Sequence, residues 1–206
     1  MKTQLCCDVH MLVTSGRYSW RNAAINSIRN EPCYFRTLPG IKNHIGLGRY
    51  NGFSKGTCEY ISYIDDDDLI VSGILKKLIE LLDRTPEAAG AFSLSIRIDS
   101  SGRVLENSKY LKLPPTFKNW NFENYSLIHQ LVVYRRQIVE KYLPILKEEN
   151  KFPEMILNRL ICREYKFICL PEVGYYWRIH SKGIHKSKLI SNLASGGNLK
   201  NIGSRL

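Results

Sequence analysis

A chain of 206 residues, 44% apolar and 11% aromatic, is one domain of ordinary size, or one domain plus a tail, and can bury a substantial core. This composition excludes intrinsic disorder, and no apolar run approaches the ~18 residues of a membrane-spanning helix. A formal charge of +11 and a pI near 9.4 draw the chain toward polyanions, meaning nucleic acid, an anionic membrane surface or an acidic glycan.

Leu5, Cys7, Val9, Met11 and Val13 alternate with mostly polar neighbours and predict an opening strand. A turn of small residues, Thr14 to Arg17, precedes Ser19, a candidate N-cap, and a helix from Trp20 to about Arg29. Strand, tight turn and helix in this order can open a nucleotide-binding βαβ half, with the backbone N–H groups of Thr14 and Ser15 and the Arg17 side chain facing a nucleotide. Core architecture alone explains the pattern equally well, because neither GxGxxG nor GxxxxGK[ST] is present. A short strand, Cys33 to Leu38, ends at Pro39 and Gly40; a second, Glu59 to Ile64, ends in four carboxylates, Asp65 to Asp68. Ile74, Leu75, Leu78, Ile79 and Leu82 are spaced for an amphipathic helix that stops near Pro86. Ala89 to Ile98 and Arg103 to Leu105 flank a hairpin turn, and Asn107 to Tyr125 reads as a long loop. A strand around Leu127 to Val133, a helix from Arg135 to about Leu143 and a helix from Pro153 to about Glu164 follow. Strands at Phe167 to Leu170 and Tyr175 to Ile179 precede a tail, residues 181–206, with no acidic residue. That tail is either a solvated solubility device or a basic surface for an anion.

The six cysteines, Cys6, Cys7, Cys33, Cys58, Cys162 and Cys169, form no CxxC pair and have no histidines at zinc spacing, which points to reduced thiols. Asp8 and His10 interrupt the apolar stretch that a signal peptide would need, so the expected location is the cytoplasm. Four adjacent carboxylates repel one another and end a strand poorly. They read either as a solvated turn capping the next helix, whose first apolar residues are Leu69 and Ile70, or as a divalent cation site with Asp65 and Asp67 on one side. Mg²⁺ or Mn²⁺ on one or two carboxylates characteristically also binds substrate phosphates.

Gly48, Arg49, Tyr50, Asn51 and Gly52, followed by Glu59, Tyr60, Ile61, Ile64 and the Asp run, resemble the ARNxG…GEYIxFLDxDD signature of family-2 nucleotide-sugar glycosyltransferases with the GT-A fold. The resemblance implies that Asp65, Asp66 and Asp67 occupy the DxD motif, with Asp67 a direct metal ligand, Asp65 near the ribose or metal, and Arg49 near the donor. Tyr50 stands where the family has Asn, and no carboxylate ends the second strand to read a uracil, which leaves the donor base open. Tyr176, Trp177, Arg178, Ile179 and His180 match the family's YRxH-like ending, which implies His180 as a metal ligand or diphosphate contact and Arg178 as a phosphate partner. The family's acidic pair would fall on Phe152 and Pro153; Glu154, in the first turn of a helix, is the candidate general base, with Glu148 and Glu149 as alternatives.

The expected fold is α/β, a single GT-A domain over residues 1–180 with a mixed sheet flanked by helices. Residues 1–90 would form a nucleotide-sugar half, residues 91–180 an acceptor half and residues 181–206 a basic tail. The expected reaction is Mn²⁺- or Mg²⁺-dependent transfer of a sugar from a nucleotide diphosphate sugar to a hydroxyl, with inversion. The charge favours DNA carrying a hydroxymethylated base, as in bacteriophage genome modification in the cytoplasm of an infected bacterial host, with Trp120 and Phe122 stacking a displaced base and Lys182 and Lys186 on phosphate. A membrane-associated glycan or lipid acceptor, or a non-catalytic relic that binds nucleic acid, are the alternatives. No feature calls for an obligate protein partner.

Overall fold

The computed structural model describes residues 7–105, 116–117, 128, 130–149 and 152–180. The elements are β1 (Cys7–Val13), α1 (Tyr18–Ile28), β2 (Cys33–Pro39), α2 (Ile45–Phe53), β3 (Tyr60–Asp65), β4 (Leu69–Ile70), α3 (Ile74–Asp83), β5 (Ala88–Ile98), β6 (Thr116–Phe117), β7 (Val132–Arg135), α4 (Arg136–Glu140), α5 (Pro153–Glu164) and β8 (Lys166–Arg178). A 3₁₀ turn, Leu143–Lys147, separates α4 from α5. The strands form one mixed sheet in the order β2-β1-β3-β7-β5-β8-β4, with β6 added on β8. β2, β1 and β3 are mutually parallel, β7 runs antiparallel to both its neighbours, and β8 is parallel to β5.

Strand alternation distributes the core over the two faces of this sheet. Cys7, Val9 and Met11 of β1 and Tyr60 and Ile64 of β3 pack in one cluster with Ala24 and Ile28 of α1 and the buried stripe of α3. Ile61 and Tyr63 of β3 pack in the other, with Phe53 of α2, Ile138 and Val139 of α4, and Leu157 and Ile161 of α5. The α3 stripe is the expected Ile74, Leu75, Leu78, Ile79 and Leu82, all buried. Fully burying each such side chain contributes about 1.5–3 kcal/mol.

α2 was not expected, since three of its nine residues are glycine, the poorest helix former after proline. Packing explains it. Gly48, Gly52 and, just past the helix end, Gly56 sit four residues apart, and a Cβ on each would collide with Leu12, His10 and Asp8 respectively, alternate residues on one face of β1. The helix lies against the strand only because those side chains are missing. Asp8, deep below, accepts the Cys58 N–H at 2.9 Å and Arg136 Nη2 at 2.7 Å, while Arg136 also donates to the Cys58 and Phe53 carbonyls. A single buried ion pair thus ties β1, α4 and the α2–β3 connection.

Other expectations shift. α1 starts at Tyr18, with Arg17 rather than Ser19 at the N-cap position and no side-chain cap bond. Leu69 and Ile70 are a two-residue strand on β8, so the acidic run does not cap the next helix, which begins after Gly73. The strand expected at Leu127 to Val133 is β7, displaced toward Arg135, and the helix after it ends at Glu140. The last two expected strands are one, kept continuous across Pro171 by register shifts against β5. Cys7, Cys33, Cys162 and Cys169 are free, whereas Cys58 is disulfide-bonded, which corrects the expectation of six thiols. Among the described residues no helix is long and apolar enough to cross a membrane.

His10 is buried between Gly52 and the edge of the Phe53 ring, whose centroid is 4.7 Å away. Burial, with the Arg49 charge adding, holds its imidazole well below the usual range. A depressed folded-state value means that unfolding takes up a proton, so the stability is complete above the unfolded pKa and is lost as pH falls. This group should lower the unfolding free energy by about 1.4 kcal/mol per pH unit below about pH 6.5. Urea denaturation at a series of pH values should show His10→Phe lacking that component of the slope; an unchanged slope contradicts a neutral buried His10.

Candidate active site

The register between β1 and β3 builds the site. Leu12 lies opposite Asp65, so the turn after β1 and the acidic run after β3 emerge side by side at the carboxyl edge of the parallel strands. From β1 the chain goes through α1 to β2 on one side, then through α2 to β3 on the other. The gap between β1 and β3 is therefore a topological switch point, where open α/β sheets bind ligands.

Each of the four carboxylates has its own partners. Asp66 is almost wholly buried and accepts the Thr14 N–H at 2.6 Å and Arg17 Nη1 at 3.0 Å, with Arg21 Nη2 3.5 Å away. Asp67 Oδ2 lies 2.6 Å from Arg17 Nη1 and 2.7 Å from His180 Nε2. The Trp20 ring stacks on His180, centroids 4.2 Å apart, and its indole N–H donates to the Ser100 carbonyl at 3.0 Å. Asp68 accepts the Arg178 N–H at 2.7 Å and bonds the Tyr175 hydroxyl. Asp65 pairs with Arg49 and accepts Gln130 Nε2 at 2.7 Å.

Burial pushes the Asp67 carboxyl up, and the Asp65 charge adds to this against the opposing pull of Arg17 and His180. Burial pushes Asp68 further, well above the carboxylate range, with Asp67 and Asp65 adding. The chain concentrates negative charge here and neutralises it locally with its own cations.

Arg49 is the least expected element. Its side chain is 3% exposed, its Nε donates to Glu154 and its Nη2 to Asp65, and its guanidinium carbon sits 4.2 Å over the Tyr63 ring. Burial alone would favour loss of its proton, but the charges of Glu154 and Asp65 overcome this and hold it above its ordinary value. Arg49 therefore joins Asp65 to Glu154 from inside the protein.

The structure brings Thr14, Arg17, Arg49, Asp65, Asp66, Asp67, Glu154, Arg178 and His180 together, while Ser15 is exposed in the turn. Three placements differ from expectation, the first being Arg49, buried between Glu154 and Asp65. Arg178 is buried, with Nε on the Asp67 carbonyl at 2.7 Å and Nη1 on those of Asp99 and Ser100, so it braces the acidic turn instead of opening toward phosphate. Asp65 is turned to Arg49 and Gln130, and among the described residues no three His, Cys, Asp or Glu side chains form a metal cluster. Asp67 and His180 stand 2.7 Å apart, which fits a cation that completes its shell with phosphate and water. Trp120, Phe122, Lys182 and Lys186 lie outside the described residues. Gln130, Tyr175, Trp20 and Arg21 are site residues that the sequence did not mark.

The family model described as Glycosyl transferase family 2 matches residues 23–143, more than half of the chain. The crystal structure of S. aureus TarS 1-349 in complex with UDP is similar in fold, with a TM-score of 0.61 at 12% identity, over 84% of this chain and 60% of that one. The complex of TarS 1-349 with UDP-GlcNAc gives a TM-score of 0.60 at 13% identity, over 96% and 68%. The chain thus spans about 60% of the length of the TarS 1-349 chain bound to UDP. No curated protein matches the sequence.

Removing Arg49 would leave two carboxylates facing each other without their buried counter-charge. Arg49→Met should cost about 3–5 kcal/mol of stability, and combining it with Glu154→Gln should recover part of that loss. Chemical denaturation of the two single variants and the double variant measures the coupling; additive losses would mean that the pair does not interact.

Proposed function

The chain belongs to glycosyl transferase family 2, and from this and the site geometry we propose that it moves a sugar from a nucleoside diphosphate sugar to a hydroxyl acceptor with inversion. The observation that carries the reading is the meeting of Thr14, Arg17 and His180 on Asp66 and Asp67 at the switch point of the sheet. TarS has been crystallised with UDP and with UDP-GlcNAc on the same fold, which supports a nucleotide-sugar donor.

Residues 1–90 supply the donor side, with Arg17 at the diphosphate and the Thr14 N–H holding Asp66 in place, while residues 91–180 supply Gln130, Glu154, Arg178 and His180. Asp67 and His180 would hold a divalent cation, Mn²⁺ or Mg²⁺, which supplies neutralisation of the departing diphosphate. Glu154, at the start of α5 and held by Arg49, takes the proton of the acceptor hydroxyl. The acceptor oxygen bonds to the anomeric carbon, the bond from that carbon to the phosphate oxygen breaks, and the diphosphate leaves with the electron pair. One displacement inverts the centre. Arg178 keeps the acidic turn in place through the Asp67, Asp99 and Ser100 carbonyls.

For the acceptor we favour a polyanion, because a net charge of +11 concentrates one at the surface before any specific contact. DNA carrying a hydroxymethylated base fits that charge, with its target base displaced from the stack.

Release of free nucleoside diphosphate from a panel of nucleotide sugars with Mn²⁺, with and without hydroxymethylated DNA, tests both halves. Release from one donor should rise with that DNA and drop on the order of a hundredfold in Asp67→Ala. Release that ignores DNA moves the acceptor to a membrane-associated glycan or lipid; no release from any donor, with DNA still bound, supports a non-catalytic relic.

A further inference from the structure

The Asp67 oxygen that faces His180 is already held by an arginine. Arg17 Nη1 is 2.6 Å from Asp67 Oδ2 and 3.0 Å from Asp66 Oδ1, so one guanidinium bridges both carboxylates. His180 Nε2 lies 2.7 Å from the same Asp67 oxygen, within hydrogen-bond distance. A divalent cation on that oxygen would stand about 2.1 Å from it, in space that the Arg17 nitrogen fills. The two positive centres exclude each other.

The surroundings make departure of Arg17 unfavourable without a replacement. Arg17 lies in the turn before α1, at the N-cap position, with its side chain 11% exposed at the rim. If it turns outward, Asp66 keeps the Thr14 N–H at 2.6 Å and Arg21 nearby, and so remains satisfied. Asp67 keeps only His180 from this set, and the neighbouring charge of Asp65 acts against it. A carboxylate in that position requires another cation.

We propose that Arg17 is a tethered cation that closes the Asp66–Asp67 pair in the free protein, that a divalent metal must displace it from Asp67 Oδ2, and that the displaced guanidinium then binds the diphosphate arriving with the metal. The diphosphate half rests on the nucleotide-sugar reading above. Metal alone must move the Arg17 charge into water, whereas metal with a diphosphate gives that charge a new anion, so the two ligands bind with positive coupling. The free protein accordingly takes up metal weakly.

Mn²⁺ binding followed by electron paramagnetic resonance, without nucleotide and then with UDP, tests this without turnover. Arg17→Leu should bind Mn²⁺ alone about ten-fold or more tighter than the unaltered protein. UDP should raise the Mn²⁺ affinity of the unaltered protein and change that of Arg17→Leu much less. Arg21→Leu removes an equal charge from beside Asp66 without releasing the Asp67 oxygen and should give a clearly smaller gain, while adding Asp67→Asn to Arg17→Leu should erase the gain. Equal Mn²⁺ affinity in Arg17→Leu and the unaltered protein overturns the proposal, as does a gain that survives Asp67→Asn or is matched by Arg21→Leu. Should Arg17→Leu lose its thermal unfolding transition, Arg17→Lys replaces it: this variant keeps the charge, weakens the bridge and should show a smaller gain, and no gain overturns the proposal equally. A gain in Arg17→Leu, with UDP leaving the unaltered protein's Mn²⁺ affinity unchanged, keeps the competition and contradicts both the diphosphate half and the nucleotide-sugar reading.

Discussion

Four consecutive carboxylates at the end of a buried strand cannot coexist unless each is given its own counter-group, and much of the chain is arranged to provide them. Asp66 takes the turn after β1 and the two arginines around α1; Asp65 takes an arginine from α2 and a glutamine from the segment before β7; Asp67 and Asp68 take groups from the end of β8. These partners are remote in sequence and meet because β1 lies between β2 and β3, while β8 reaches back across the sheet to pair with β4. Charge of this density would be unfavourable in a protein selected only for stability. Its presence at the switch point is the physical argument for a ligand that uses it.

The glycines of α2 serve the same end. A helix with ordinary side chains would stand off from β1 and carry Arg49 away from Asp65. Gly48 and Gly52 let the helix approach Leu12 and His10, and the resulting depth puts the Arg49 guanidinium between Asp65, Glu154 and the Tyr63 ring. The favourable energy of that pairing offsets the poor helix propensity of the segment. Asp65 and Glu154, 89 residues apart in sequence, are consequently held by one buried cation, a positioning that no pairwise reading of either motif conveys.

The sequence showed clearly those features that local periodicity encodes. The alternation in β1, the amphipathic stripe of α3, the proline start of α5 and the acidic ending of β3 all stand where the spacing places them. Features decided by long-range contact were hidden. α2 reads as a loop because its glycines signal flexibility until their neighbours on β1 are known. Gln130 sits in a stretch without periodicity, and nothing local marks it as a partner of Asp65. Arg178 looks like a phosphate ligand by its place in a motif, yet the carbonyls that enclose it come from a turn some eighty residues earlier. Trp20 has the spacing of an inward helical residue, and the ring that it packs against belongs to the far end of the described chain.

The central claim is that the Asp66–Asp67 turn, closed by Arg17 and His180, is where a metal-bound diphosphate sits. Anomalous diffraction from crystals soaked with Mn²⁺ and UDP tests it most directly. The account expects a manganese peak within bonding distance of Asp67 and His180, and Arg17 withdrawn from Asp67 onto the diphosphate. A nucleotide bound elsewhere, or a diphosphate at this turn with no manganese peak and Arg17 still on Asp67, would contradict it.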